Sequence, residues 1–305
     1  MHGRIGRVSL MHSALSPALL AFKKALPAAH GRVGRVSLAL DAASGIARLV
    51  LRNRPHANAL SSSMMVDLSE AIDRLEQWDA GAAVVLSGEG GTFCAGAALN
   101  DGALSSAEMG ALFSGLMSES LTRLRRLPLV SVAAIDGAAI GGGAELATAT
   151  DWRLLAPGAR VQFVQARMGV STGWGGAGRL AETVGRREAL RLLLHSPSLD
   201  AAAAVGAGLA DAVGGEGEPA AEAAVRLLLE PALERAGSRQ AVRALKAAVA
   251  AHSQIDEAAI RAETSEFAAV WGSPANKAAV ARAVSRRREQ QQQAAASETN
   301  NREGV

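Results

Sequence analysis

Two glycine-rich turns and one glutamate carry the chemistry that this sequence offers. The segment 130–151 reads VSVAAIDGAAIGGGAELATATD, an apolar strand running to Asp136-Gly137 and then to Gly141-Gly142-Gly143 at the head of the helical run 144–150. A helix start leaves backbone N–H groups unpaired at the positive end of the dipole, and glycines leave them unobstructed. Such a turn can hold an oxyanion. It can equally serve close packing, with Glu145 merely complementing the dipole. A second turn, 90–99 (GGTFCAGAAL), also follows a strand, and its small residues Ala95, Gly96 and Ala97 keep backbone N–H groups accessible. Two such turns at parallel strand ends can converge on one oxygen, which favours the oxyanion reading. Glu145 then lies within reach of the same pocket as a general acid or base.

Other motifs fail on context. Residues 173–178 match GxGxxG ahead of a helix but lie far from the first strand, with Asp200 the only acid near the required offset for a dinucleotide site. Residues 169–173 match GxSxG, with Asp211 and His252 following in hydrolase order, yet they form an extended glycine loop rather than a strand-to-helix elbow. There is no HExxH or Walker loop, and six scattered histidines offer no metal-ligand spacing. The single cysteine, Cys94, can form no internal disulfide and reads as a small buried residue in a chain suited to a reducing compartment.

The elements that must position these turns follow from periodicity. Strand-like runs at 46–53, 83–87 and 129–135 are nearly continuous in apolar residues, and helices at 61–78 and 106–127 lie between them. Buried strands alternating with helices indicate an α/β fold whose sheet is covered by helices. Beyond a short strand at 161–164 and the glycine loop 169–178, helical segments dominate at 178–195, 218–235, 238–252, 255–271 and 274–288. We therefore expect an α/β core over 41–200 and a helical region over 201–288. They are flanked by a basic extension, 1–40, and a disordered polar tail, 289–305. The extension repeats HGRIGRVSL as HGRVGRVSL around an amphipathic stretch; it reads as a mitochondrial presequence or as a tail preceding the fold.

Composition narrows the function classes. The 305 residues are 49% hydrophobic and 20% charged, the make-up of a globular protein. Aromatic residues are only 3% and tyrosine is absent, which disfavours base-stacking platforms. The net charge of +3 resides in the termini, leaving 41–280 at −5, so a nucleic-acid partner is not expected. The longest apolar candidate for a membrane span, 127–150, contains Asp136, Glu145 and the glycine cluster, so no membrane role is expected.

The motifs also form a series. Arg54-Pro55 with Asn58-Ala59-Leu60, then Phe93 to Ala97, then Asp136-Gly137 with Gly141 to Glu145 and Asp151, then Trp174-Gly175-Gly176 with Arg179-Leu180, recur in order and spacing. On these residues, over about 41–285, the chain resembles the enoyl-CoA hydratase/isomerase (crotonase) superfamily. The runs at 127–133, 168–176 and 270–276 most resemble the ethylmalonyl-CoA decarboxylase group within it.

The resemblance implies a spiral of ββα turns with C-terminal helices that assemble a homotrimer or homohexamer. It implies an acyl-CoA substrate, no metal and no cofactor, with the thioester oxygen between the N–H groups of Ala97 and Gly142. Substrate contacts would come from Asn58, Ala59, Leu60, Ala95, Gly96, Leu99, Gly141 and Trp174, the last lining the acyl pocket or packing beside it. Of the two glutamates that hydratases use, the first corresponds to Glu145 and the second to Gln165, which cannot act as acid or base. That favours decarboxylation of a malonyl-type thioester, ethylmalonyl-CoA or methylmalonyl-CoA, as a metabolite-repair activity in the cytosol, with the mitochondrial matrix as the alternative. Glu145, or water oriented by it, would donate the proton and Gln165 orient the departing carboxylate. Hydration or isomerisation by Glu145 alone, or non-catalytic acyl-CoA or RNA binding, are the alternatives. The sequence departs from the superfamily at Ala98, where Asp is usual, and at Thr172, where Pro is common; the decarboxylase group carries His at the position of Gln165.

Overall fold

The computed structural model describes residues 16–26, 31–99, 101–104, 106–252 and 257–303. Among the described residues, nine strands form two sheets. The larger contains β1 (Arg35–Asp41), β2 (Ile46–Arg52), β3 (Ala83–Gly88), β4 (Val130–Ile135), β6 (Trp152–Leu155) and β9 (Ala212–Val213), in the order β1-β2-β3-β4-β6-β9. The smaller is β5-β7-β8, from Ala138–Ile140, Arg160–Gln162 and Leu199–Asp200. Only the β1–β2 and β7–β8 pairs are antiparallel.

The α-helices of the described residues are α1 (Pro17–Ala25), α2 (Ser62–Glu76), α3 (Ala107–Arg126), α4 (Gly142–Ala147), α5 (Gly176–Val184), α6 (Arg186–His195), α7 (Ala201–Gly206), α8 (Ala220–Ala224), α9 (Glu230–Arg235), α10 (Arg239–Ala250), α11 (Glu257–Val270) and α12 (Pro274–Glu303). From β4 onward the chain contributes one strand to each sheet and then a helix: β4, β5, α4, then β6, β7, α5. The isolated bridges Leu60 to Ala97 and Cys94 to Ala139 continue the smaller layer through the earlier turns. This is the expected ββα spiral with helices at its C-terminal end.

Alternation within β3 explains why its strands read as continuously apolar. Val84 and Leu86 join the main core beneath α2 and α3, while Ala83 and Val85 join a second cluster covered by α8. The helices begin where local chemistry dictates. Ser61 and Ser106 accept hydrogen bonds from Met64 N and Met109 N, capping α2 and α3.

Three expected boundaries shift. The fold does not begin at 41: β1 starts at Arg35, and α1 buries Leu19 and Phe22 completely in the main core. An amphipathic run read as an extension thus docks by its apolar face; the rest of the basic extension, 1–15 and 27–30, lies outside the described residues. The core does not end at 200, because β9 extends the larger sheet beside β6. Finally, 289–303 is not irregular: its Gln, Ala, Glu and Arg residues, all good helix formers, continue α12 to Glu303.

Candidate active site

Strand β5 ends at Ile140, and the chain turns at Gly141, whose φ of 56° is open to glycine at little cost. Each glycine of the triplet has its own reason. A Cβ on Gly142 would meet the Trp174 ring at 2.6 Å, and one on Gly143 would meet the Cys94 carbonyl oxygen at 2.0 Å. The Gly141 amide donates to Gln162 O at 2.8 Å, whereas the Gly142 amide, first in its helix, has no acceptor among the described residues. Close packing and an open N–H are therefore both present, at different residues of one turn.

The second turn arrives beside the first. Cys94 N donates to Ala138 O at 3.0 Å and Ile140 N to Cys94 O at 2.9 Å, tying 94–96 to β5. Gly96, at φ 94°, approaches so closely that its Cβ would lie 3.1 Å from Gly142 N. Leu60 N donates to Gly96 O at 2.8 Å and Ala98 N to Leu60 O at 2.9 Å. That parallel bridge leaves the Ala97 N–H on the opposite side, again without an acceptor among the described residues. Ala97 and Gly142 line one cavity of about 240 Å³.

Glu145 points into the same cavity from α4 and is 3% exposed. Its Oε2 accepts from Trp174 N at 2.9 Å and Gly176 N at 3.2 Å, and its Oε1 accepts from Gln165 Nε2 at 2.7 Å. Burial, seconded by the negative charge of Glu263, pushes Glu145 up to about 7 against these hydrogen bonds and the nearby Arg179. Gln165 is itself buried, and its Oε1 has no partner among the described residues. Arg179 is buried behind them. Its Nη2 donates to Trp174 O at 2.6 Å and Glu145 O at 3.3 Å, while desolvation brings it down to about 10 against the pull of Glu263 and Glu145.

The C-terminal helices complete the cavity. Phe267 of α11 and Trp271, just beyond its end, stack at 5.1 Å, both pack edge-on against Phe113 of α3, and all three line it. Asn276 of α12 donates to Met168 O at 2.9 Å and pins the loop after Gln165.

Ala95, Gly96, Ala97, Leu99, Gly141, Gly142, Glu145, Gln165 and Trp174 thus come together at one cavity. Asn58 and Leu60 do not line it. The Asn58 Nδ2 donates to Glu89 O at 2.8 Å and Thr92 O at 2.6 Å, and Leu60 is wholly buried in the core. They hold the 90–97 turn from behind: a side chain spent on bracing a loop cannot also reach into the cavity. Ala59 lines an adjoining cavity with Ala97, His56 and Arg288. Where Asp was expected at 98, Asp101 supplies a carboxylate nearby, accepting from Ser62 N at 2.7 Å and Ala103 N at 3.0 Å.

The remaining motifs resolve plainly. The last three amides of the GxGxxG match are taken by protein carboxylates: Gly176 by Glu145, Ala177 and Gly178 by Glu263, at 3.3 and 3.4 Å. Asp211 accepts from Arg153 N at 2.8 Å and serves the sheet. Burial pushes the Cys94 thiol up to about 12, so it is inert. Among the described residues no His, Cys, Asp or Glu cluster could hold a metal, and no helix is long and apolar enough to cross a membrane. Arg179 and Glu263 were given no role by sequence reasoning; only an acidic residue at a helical spacing from Phe267 hinted at the second.

Comparison with known proteins agrees with this geometry. The family model described as "Enoyl-CoA hydratase/isomerase" matches residues 41–294. The chain is 40% identical over 242 residues to a Gallus gallus protein named ethylmalonyl-CoA decarboxylase, covering 78% of this chain and 80% of that one. It is 36% identical to the Homo sapiens protein of the same name, covering 78% of each. An enoyl-CoA hydratase/isomerase from Mycobacterium paratuberculosis shares the fold at a TM-score of 0.72 and 23% identity, over 81% of this chain and 97% of that one. A putative enoyl-CoA hydratase from Thermobifida fusca YX, solved in complex with CoA, superposes at 0.61 with 28% identity, over 77% and 91%. With its spiral fold and paired open amides, the chain belongs to the enoyl-CoA hydratase/isomerase family.

Proposed function

We propose that this protein is a carboxy-lyase that decarboxylates a malonyl-type acyl-CoA thioester, ethylmalonyl-CoA and also methylmalonyl-CoA, as a metabolite-repair activity. The observation that carries the reading is the buried Gln165 donating to Glu145, where a hydratase would need a second acid or base. The likeness to proteins named ethylmalonyl-CoA decarboxylase supports it.

The thioester oxygen accepts from the Ala97 and Gly142 amides. The bond between the α-carbon and the carboxylate breaks, CO2 departs, and the electron pair moves into an enolate whose oxyanion those amides stabilise. The thioester carbonyl is the electron sink, so the step calls for neither metal nor organic cofactor. Glu145, held near neutrality, then gives its proton to the α-carbon and is left ionised until water restores it. The second N–H of Gln165 Nε2 steers the carboxylate without adding negative charge. The apolar wall of Trp174 and Phe267 takes the short acyl branch and keeps water from the enolate.

The test is incubation of the purified protein with ethylmalonyl-CoA, methylmalonyl-CoA and crotonyl-CoA separately, with thioester products followed by mass. Loss of CO2 from the first two, with no water added to the third, is expected. Hydration of crotonyl-CoA without decarboxylation would overturn the reading and leave Glu145 acting alone.

A further inference from the structure

The N-terminus of α5 holds two carboxylates, and the reaction proposed above uses only one. Glu145 Oε2 takes the Gly176 amide at 3.2 Å, while Glu263 of α11 takes the next two, with Oε1 on Ala177 and Oε2 on Gly178. One buried guanidinium, Arg179, faces both. A helix start supplies about half a positive charge and Arg179 one, too little to balance two carboxylates side by side. When two like charges share such a site, the more deeply desolvated group takes the proton. Glu145 is buried and Glu263 only partly so, which puts the proton on Glu145.

A separate observation points the same way. With Glu145 ionised, Gln165 donates to it and strands its own buried Oε1 without a partner. With Glu145 protonated, the Gln165 amide turned over accepts the Glu145 O–H. That satisfies the oxygen and leaves the NH2 in need of an acceptor, which a substrate carboxylate supplies. With such a carboxylate bound, the protonated state is the one that closes these hydrogen bonds.

We propose that Glu263 is a positioning residue for proton transfer: its carboxylate, held on the Ala177 and Gly178 amides, keeps the proton on Glu145 until the enolate forms. The charged groups facing Glu145 are Arg179 from α5 and Glu263 from α11. Arg125 of α3 and Glu182 of α5 stand behind Arg179, and β5 and the turn bearing Gln165 present none. The proton leaves Glu145 for the α-carbon once CO2 has departed, so activity belongs to the protonated form and declines as pH rises through its ionisation.

Glu263→Gln keeps an acceptor for the amides and removes the charge. It should move the high-pH limb of kcat/KM down by about one unit, so that turnover at pH 8 drops about tenfold while turnover at pH 5.5 holds. Glu263→Asp retains the charge and should keep the limb in place. A limb unmoved in Glu263→Gln, or moved equally in Glu263→Asp, overturns the proposal. The kinetic readout rests on the decarboxylase reading; an infrared titration does not. The protonated carboxyl band that disappears in Glu145→Gln should titrate at lower pH in Glu263→Gln than in the parent protein, whatever the substrate proves to be. An unchanged midpoint overturns the role of Glu263 alone, whereas a shifted midpoint in a protein that spares malonyl thioesters overturns only the reaction.

Discussion

The wall of the cavity around Ala97 and Gly142 is backbone, whereas the wall around Glu145 is made of side chains from four separate segments. The first is held by strand-type hydrogen bonds among 57–60, 94–98 and 138–141, segments brought together by the two sheets. The second joins α4, the turn at Gln165, Arg179 and Glu263, residues that meet only after the helices pack. Backbone donors cost no reorganisation and hold one geometry. Side-chain groups can change charge, so the wall that must move a proton is the one made of side chains.

The contrast can be broken most severely at Glu145. Glu145→Gln keeps the shape but cannot transfer a proton, and decarboxylation should fall by about 10³-fold, read as thioester product per unit time. The same variant has a stability signature of known sign. The folded state raises the Glu145 pKa from 4.5 to about 7. The stability linked to its proton is therefore full below 4.5 and is lost as pH rises through about 7. Glu145→Gln abolishes that loss and should exceed the parent at pH 8 by up to about 3 kcal/mol in urea unfolding, with the two converging near pH 5. Parallel pH dependences in the two proteins would contradict the burial argument.

The backbone wall is tested by a pair of substitutions at Gly142. Gly142→Ala adds a Cβ against the Trp174 ring but retains the N–H; Gly142→Pro adds similar bulk and removes the donor. The proline variant should be slower than the alanine variant by a further factor of about 10² in kcat. Equal rates in two folded variants would remove Gly142 from the oxyanion site. One residue on, the effect should turn from rate to stability. Gly143→Ala drives a Cβ into the Cys94 carbonyl and should cost about 1–3 kcal/mol in denaturant midpoint, with kcat reduced only as far as the turn shifts.

Much of the backbone wall is legible in the residue order. Glycines at 96 and 141–143 mark positive φ or close approach, and the apolar runs before them mark the strands that bring both turns to one end of the sheets. The resemblance gave Asn58 and Leu60 as substrate contacts, and the structure buries both behind the 90–97 turn, because a motif shows which residues recur together, not which face the cavity. The local reading placed the fold boundary at 41, since a half-buried edge strand and a single docked helix carry a weak hydrophobic pattern.

Periodicity and residue types in the sequence carry the α/β class and the two glycine-rich turns after apolar strands, while the family resemblance supplies the ββα spiral and the lack of a second acid at Gln165. The strands and turns depend on propensities that act within a few positions. Only the tertiary structure decided that Glu145 is desolvated, that Arg179 and Glu263 flank it, and that α11 and α12 roof the cavity. Desolvation and charge coupling are properties of packing between segments some 30 to 120 residues apart, which no local pattern encodes.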